Sequence, residues 1–201
     1  MNPLLFYLAL LGYLVATALA LTYLIQRQEG IYRGASLATQ AGWILHTLAL
    51  VVRTVELSRP PLATFQEAVS VLVWAAVLLE LWSEHQFRVK VLGAFVLPVA
   101  LIFGLSTVTL PGGFRDLNPA LRSAWVSVHV ILALVGLAAF VLNFAGGLMY
   151  LLQERQLKSK RPGTFYYRLP SLETLDRMTS RTLTLGFPFL TLGLILGIVW
   201  A

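Results

Sequence analysis

The 201-residue sequence has no cysteine, and aspartate, glutamate, lysine and arginine together make up only 12 % of it. The missing cysteine rules out disulfides, thiolate zinc sites, iron–sulfur ligation and thioether attachment of a prosthetic group to this chain. Acid is scarcer than base, nine carboxylates against fifteen lysines and arginines, and there are only three histidines. Zinc is weakly supported, because it wants about four ligands and there are only three histidines. No Ser/His/Asp arrangement, phosphate-binding glycine loop, dinucleotide fingerprint or acid pair within the apolar segments is found, so an ordinary enzyme is not expected.

What fills the space is hydrocarbon. Hydrophobic residues are 58 % of the chain and fall in six long, charge-poor blocks. A helix needs about 20 apolar residues to cross a bilayer, and a chain of this kind reads as an all-α polytopic membrane protein. The runs do not alternate, which argues against a barrel. The expected spans are about 3–25, 36–57, 64–83, 87–108, 123–153 and 182–201, forming a single transmembrane domain over 1–201. Leu4 to Leu24 lacks a basic leader and a small-residue cleavage site, and is read as a retained helix. Pro170-Ser171 opens an amphipathic stretch over 171–181, with Leu172, Leu175 and Met178 on one face, expected to be a separate interfacial helix. Pro98 and Pro188 are expected to kink the fourth and sixth helices. Gly193-xxx-Gly197 offers a close-packing face.

The net charge of +6 reports topology and not a nucleic-acid partner. Arg155, Lys158, Lys160, Arg161 and Arg168 form one basic loop, placed on the cytoplasmic side together with Arg27, Arg33, Arg88 and Lys90. Arg53, Arg59, Arg115 and Arg122 are then outside, as are both chain ends, in a bacterial-type cytoplasmic membrane.

An ionisable side chain inside lipid is costly and calls for a reason. His46 is expected near the midplane of helix two. It reads either as a histidine bonded to a neighbouring helix or as a neutral imidazole offered to a haem iron. His129 is expected in the outer headgroup layer, with Trp125 one turn away on the same face. It reads as an interfacial anchor or as an iron ligand. The two differ in expected height by about 10–15 Å at the helical rise, so they cannot clamp one iron and suggest two stations on a path. His85 is expected in a solvated loop. Arg53 is expected to pair with Glu67, and either could meet a haem propionate.

Four stretches carry a family resemblance. They are Leu45-His46-Thr47-Leu48-Ala49-Leu50 with Arg53, Pro61 to Glu67, Ser123 to Val130 continuing through Ala139-Phe140 to Gly147–Leu152, and Leu175-Asp176-Arg177 with Arg181 running into Leu185–Gly193. In this order the sequence resembles the cytochrome c assembly family of membrane haem-handling proteins, the CcsA, CcmC and HemX-like group. The resemblance implies haem as cofactor and a role in maturing c-type cytochromes, with another membrane subunit or apocytochrome c as partner. His129 is similar to the family's first external haem ligand and His46 to its intramembrane histidine. The family's tryptophan-rich external loop, with its second external histidine, would begin where Trp200-Ala201 stand, so the sequence is expected to be part of a longer or split protein. The other readings are a HemX-like membrane regulator or scaffold, docking a soluble partner through the basic loop, and a transporter of something else. The third would show an internal repeat, and none is evident.

Overall fold

A computed structural model describes residues 3–109, 124–159, 163 and 166–200. Among these residues it contains six α-helices and no strand: α1 (Pro3–Gln26), α2 (Glu29–Leu57), α3 (Phe65–Phe87), α4 (Gly93–Thr109), α5 (Ala124–Lys158) and α6 (Leu172–Trp200). All but α4 are long and apolar enough to cross a membrane. With 17 residues, α4 spans about 26 Å at 1.5 Å per residue. The turn before it buries Val89, Val91 and Leu92, which lengthens the apolar column.

Several element bounds differ from expectation. α2 begins at Glu29, because Arg27 takes the left-handed conformation (φ 58°) and turns the chain within two residues of α1. Its guanidinium then donates to the carbonyl of Tyr167 at 2.7 Å, and Arg168 donates to the carbonyl of Leu24 at 3.3 Å. Part of the basic loop is thereby fastened beneath α1. α3 continues to Phe87 and stops where Arg88 turns left-handed (φ 56°), so His85 lies in its last helical turn and not in a loop. The expected interfacial helix is not separate. It forms the first turns of α6, since the apolar face of Leu175 and Met178 continues in register and no breaker stands before Pro188. Arg122 falls outside the described residues, as do Arg115, Lys160 and Arg161.

The helices pack chiefly as the pairs α1–α2, α3–α4 and α5–α6, with α3 also on α5 and α1 on α4. Small residues set the closest approaches, as lipid-embedded helices require in the absence of a hydrophobic drive between them. A Cβ on Gly12 would stand 2.9 Å from the Cα of Gly42, and one on Gly136 would stand 2.6 to 2.8 Å from Cβ, N and Cα of Leu190. Leu4, Leu11, Ile44, Phe144, Ile195 and Ile198 point outward, the pattern of side chains solvated by acyl chains.

The Gly136 contact is against backbone, which cannot swing aside. Gly136→Val should cost about 1–3 kcal/mol of stability and lower the thermal midpoint in detergent. Gly147→Ala, on the same helix with nothing within 4 Å, should leave the midpoint unchanged or raise it.

Candidate functional site

His129 stands in the second turn of α5, half-buried against α6. Its Nδ1 bonds the main-chain carbonyl of Gly193. A carbonyl only accepts, so Nδ1 carries the proton, and in the neutral ring Nε2 keeps its lone pair. Among the described residues Nε2 has no hydrogen-bond partner. Gly197 makes this contact possible. A Cβ there would lie 2.7 Å from Cε1 and 3.0 Å from Nδ1 of the imidazole. One turn earlier, Trp125 donates Nε1–H to the carbonyl of Leu196 at 3.3 Å and is 44 % exposed. Trp125 and His129 thus share one face of α5 and both rest on the last turns of α6.

His46 is placed quite differently. It is fully buried among α1, α2 and α3. The hydroxyl of Tyr13 lies 3.2 Å from Nδ1, and that of Ser70 lies 2.9 Å from Nε2. Phe6 and Tyr13 pack against the ring at centroid distances of 5.3 and 5.9 Å, both near edge-to-face. Both nitrogens are therefore occupied and both flanks are covered. No described contact joins His46 to His129.

Arg53 belongs to a clamp at the α2–α3 turn. The carboxylate of Glu67, buried in the first turn of α3, accepts from Arg53 Nη2 at 3.3 Å, Arg59 Nη1 at 3.0 Å and the amide of Ala63 at 3.0 Å. Thr64 caps the same helix by accepting from the amide of Glu67, the cap expected of a Thr three residues before a Glu. Arg53 also faces Glu56 at 3.7 Å, so two acids hold its guanidinium. Arg59, in turn, lines a cavity of about 260 Å³ between this turn and Val126, Ser127 and Val130 of α5. Below the clamp, Trp43 and Trp74 stack at 5.5 Å, and Trp74 donates to the hydroxyl of Thr47 at 2.8 Å.

Sequence reading missed the opposite end of α3. The extension of that helix to Phe87 places Glu80 and Glu84 one turn apart within a span, where no acid pair was expected. Glu84 accepts from the hydroxyl of Tyr32 at 2.6 Å, while Lys90 pairs with Glu29 at 2.9 Å and stands over the Tyr32 ring. Glu80 is 1 % exposed, with Oε1 against Gly93 and Oε2 unpartnered among the described residues. The signal available was a glutamate in an apolar run with arginine and lysine just beyond it. Among the described residues no three histidine, aspartate or glutamate side chains are grouped as a metal site.

The helical bundle thus holds one half-buried imidazole at the α5–α6 seam. The sequence profile of the family described as Cytochrome C assembly protein matches residues 62–201. The chain belongs to that family. Within it, the chain is 29 % identical over 174 residues to a protein named cytochrome c biogenesis protein CcsA from Guillardia theta, which covers 77 % of this chain and 58 % of that one. The CcsA of Parasynechococcus marenigrum is 30 % identical over 183 residues, covering 79 % and 60 %. Protein HemX of Brevibacillus brevis is 31 % identical over 159 residues, covering 79 % and 58 %. The chain thus spans about three fifths of the length of these relatives. No solved structure matches. Trp125 and His129 fall inside the profile match, whereas His46 and Arg53 precede it.

The two hydroxyls on His46 generate a stability prediction. Tyr13→Phe and Ser70→Ala each leave one buried ring nitrogen unpaired, which should cost about 1–3 kcal/mol, read as a lowered unfolding midpoint in mixed micelles. Two neutral variants would show that these bonds do not hold α1 and α3 to α2.

Proposed function

We propose that this chain handles haem in the assembly of c-type cytochromes, and that Nε2 of His129 holds the haem iron at the outer end of the α5–α6 pair. Haem here is cargo and not a resident catalyst. The observation that carries the reading is the bond from His129 Nδ1 to Gly193. Ligating histidines typically anchor the second nitrogen on a carbonyl or carboxylate, which sets the tautomer and steadies the ring. Trp125 would flank the bound macrocycle as an aromatic wall. Arg59, which lines the cavity beside α5, would meet a propionate through charge-assisted hydrogen bonds.

In this reading Arg53 acts through the Glu67 clamp, holding the α2–α3 turn and so the position of Arg59. His46 joins α1, α2 and α3, and would reach iron only if Ser70 or Tyr13 gave up its bond. The protein supplies ligation, orientation and a dry setting, and any redox chemistry is the cofactor's own. The concentration of lysine and arginine at the opposite end supports placing the His129 end outside a bacterial-type cytoplasmic membrane. There an apocytochrome c or another membrane subunit would take the haem. The regulator reading draws less support, because Arg168 is engaged with Leu24 and Lys158 with Glu154 at 2.8 Å.

The test is the absorption spectrum and haem content of the purified chain. His129→Ala should lose the Soret band, and His129→Gly should regain it with added imidazole. His46→Ala should keep haem while unfolding at lower temperature. Haem content unchanged by His129→Ala would refute the assignment.

A further inference from the structure

At the basic end of the bundle α3 and α6 diverge, leaving a groove of about 410 Å³. Trp82 and Phe87 from the last turns of α3 line one wall, and Ser180, Arg181, Thr184 and Leu185 line the other. Both helices change character here. α3 passes from its apolar run into Ser83-Glu84-His85-Gln86, and α6 leaves Glu173, Asp176 and Arg177 to begin its apolar run after Arg181. The groove therefore lies at the level where hydrocarbon meets headgroups, the layer that tryptophan favours.

Its charge is unbalanced. Arg181 has no acid partner among the described residues. Glu84, the nearest acid along α3, faces Tyr32 on the other side of the helix, and Glu173 is taken by Arg177 at 2.7 Å. Asp176 does not line the groove. Thr184 donates to the main-chain carbonyl of Ser180 at 2.8 Å, and the Ser180 hydroxyl has no hydrogen-bond partner among the described residues. Below Arg181, Leu185 and Trp82 are exposed on a lipid-facing surface.

We propose that this groove binds one anionic phospholipid, its phosphate on Arg181 and Ser180 and an acyl chain along Trp82, Phe87 and Leu185. An unpaired guanidinium at headgroup depth above an apolar channel matches such a molecule in charge and in shape. Basic clefts between membrane helices bind anionic headgroups in this manner. A second copy of the chain fits less well, because the groove offers it a cation with no acid in return. The inference does not depend on haem being the cargo.

Native mass spectrometry of the full chain, equilibrated in detergent with phosphatidylglycerol or with phosphatidylcholine of the same chains, tests this. The wild type should retain one phosphatidylglycerol in preference to phosphatidylcholine. Arg181→Gln should weaken retention about fivefold, the factor one basic residue contributes at an anionic surface. Thr184→Trp, which fills the groove and keeps the charge, should weaken it as well, and Arg177→Gln should not. Glycerol 3-phosphate at matched concentration should fail to displace the lipid. Equal retention of both lipids, no effect of Arg181→Gln or Thr184→Trp, an equal effect of Arg177→Gln, or displacement by glycerol 3-phosphate would each overturn the proposal.

Discussion

The contact between the start of α5 and the end of α6 decides what His129 can do. In regular α-helical geometry the carbonyl of Gly193 already accepts from the amide of residue 197, and a side chain at 197 would screen it from a neighbour. Glycine at 197 removes that screen, and the imidazole occupies the vacated space. Gly193 itself lies against Ala133, where a Cβ would be 2.9 Å from the main-chain nitrogen. One small-residue pair therefore brings the helices close and also uncovers the acceptor that orients His129. Helix packing and ring orientation are two consequences of the same missing side chains.

A bilayer leaves polar groups no solvent to fall back on, so their pairing follows depth. At the α2–α3 turn Glu67 gathers two arginines and an amide. Deeper, His46 has two hydroxyls and Trp74 has Thr47. At the basic end Tyr32, Glu84, Glu29 and Lys90 join α2 to the α3–α4 turn. Each cluster joins elements that lipid alone would not hold together, because acyl chains solvate leucine as well as another helix does. α6 takes little part. It packs on α5 and touches α3, and from Leu185 onward its exposed side chains are apolar.

The helices were legible because the span of a bilayer demands long apolar runs, and the family was legible in four ordered stretches. Helix ends were less so. Gln26-Arg27-Gln28-Glu29-Gly30 reads as a polar stop, yet a left-handed Arg27 needs only two residues to reverse the chain. The amphipathic start of α6 and its apolar continuation share the 3.6-residue period, so periodicity could not show that they are one helix. The Arg53–Glu67 pair could be anticipated because both residues lie near the same end of adjacent helices. The partners of His46 could not. Tyr13 and Ser70 are two hydroxyls among many, and only the rotation of each helix about its axis selects them. The bond to Gly193 was equally hidden, since a main-chain acceptor leaves no trace in residue type.

The two imidazoles answer the cost of burying a polar ring in opposite ways. His46 satisfies both nitrogens within the bundle, which fixes the ring and leaves neither nitrogen free. His129 satisfies one, on a carbonyl that cannot donate, and keeps the other lone pair available at a half-buried surface. Only the second arrangement lets a ligand arrive and depart without dismantling helix contacts. In the proposed role haem would have to be released, and His129 would hold it without a second histidine from this bundle. A cytochrome b-type clamp of two facing histidines would hold haem more firmly and hinder its transfer. The separate placement of His129 and His46 is in keeping with the proposed role, in which haem would be presented and not stored.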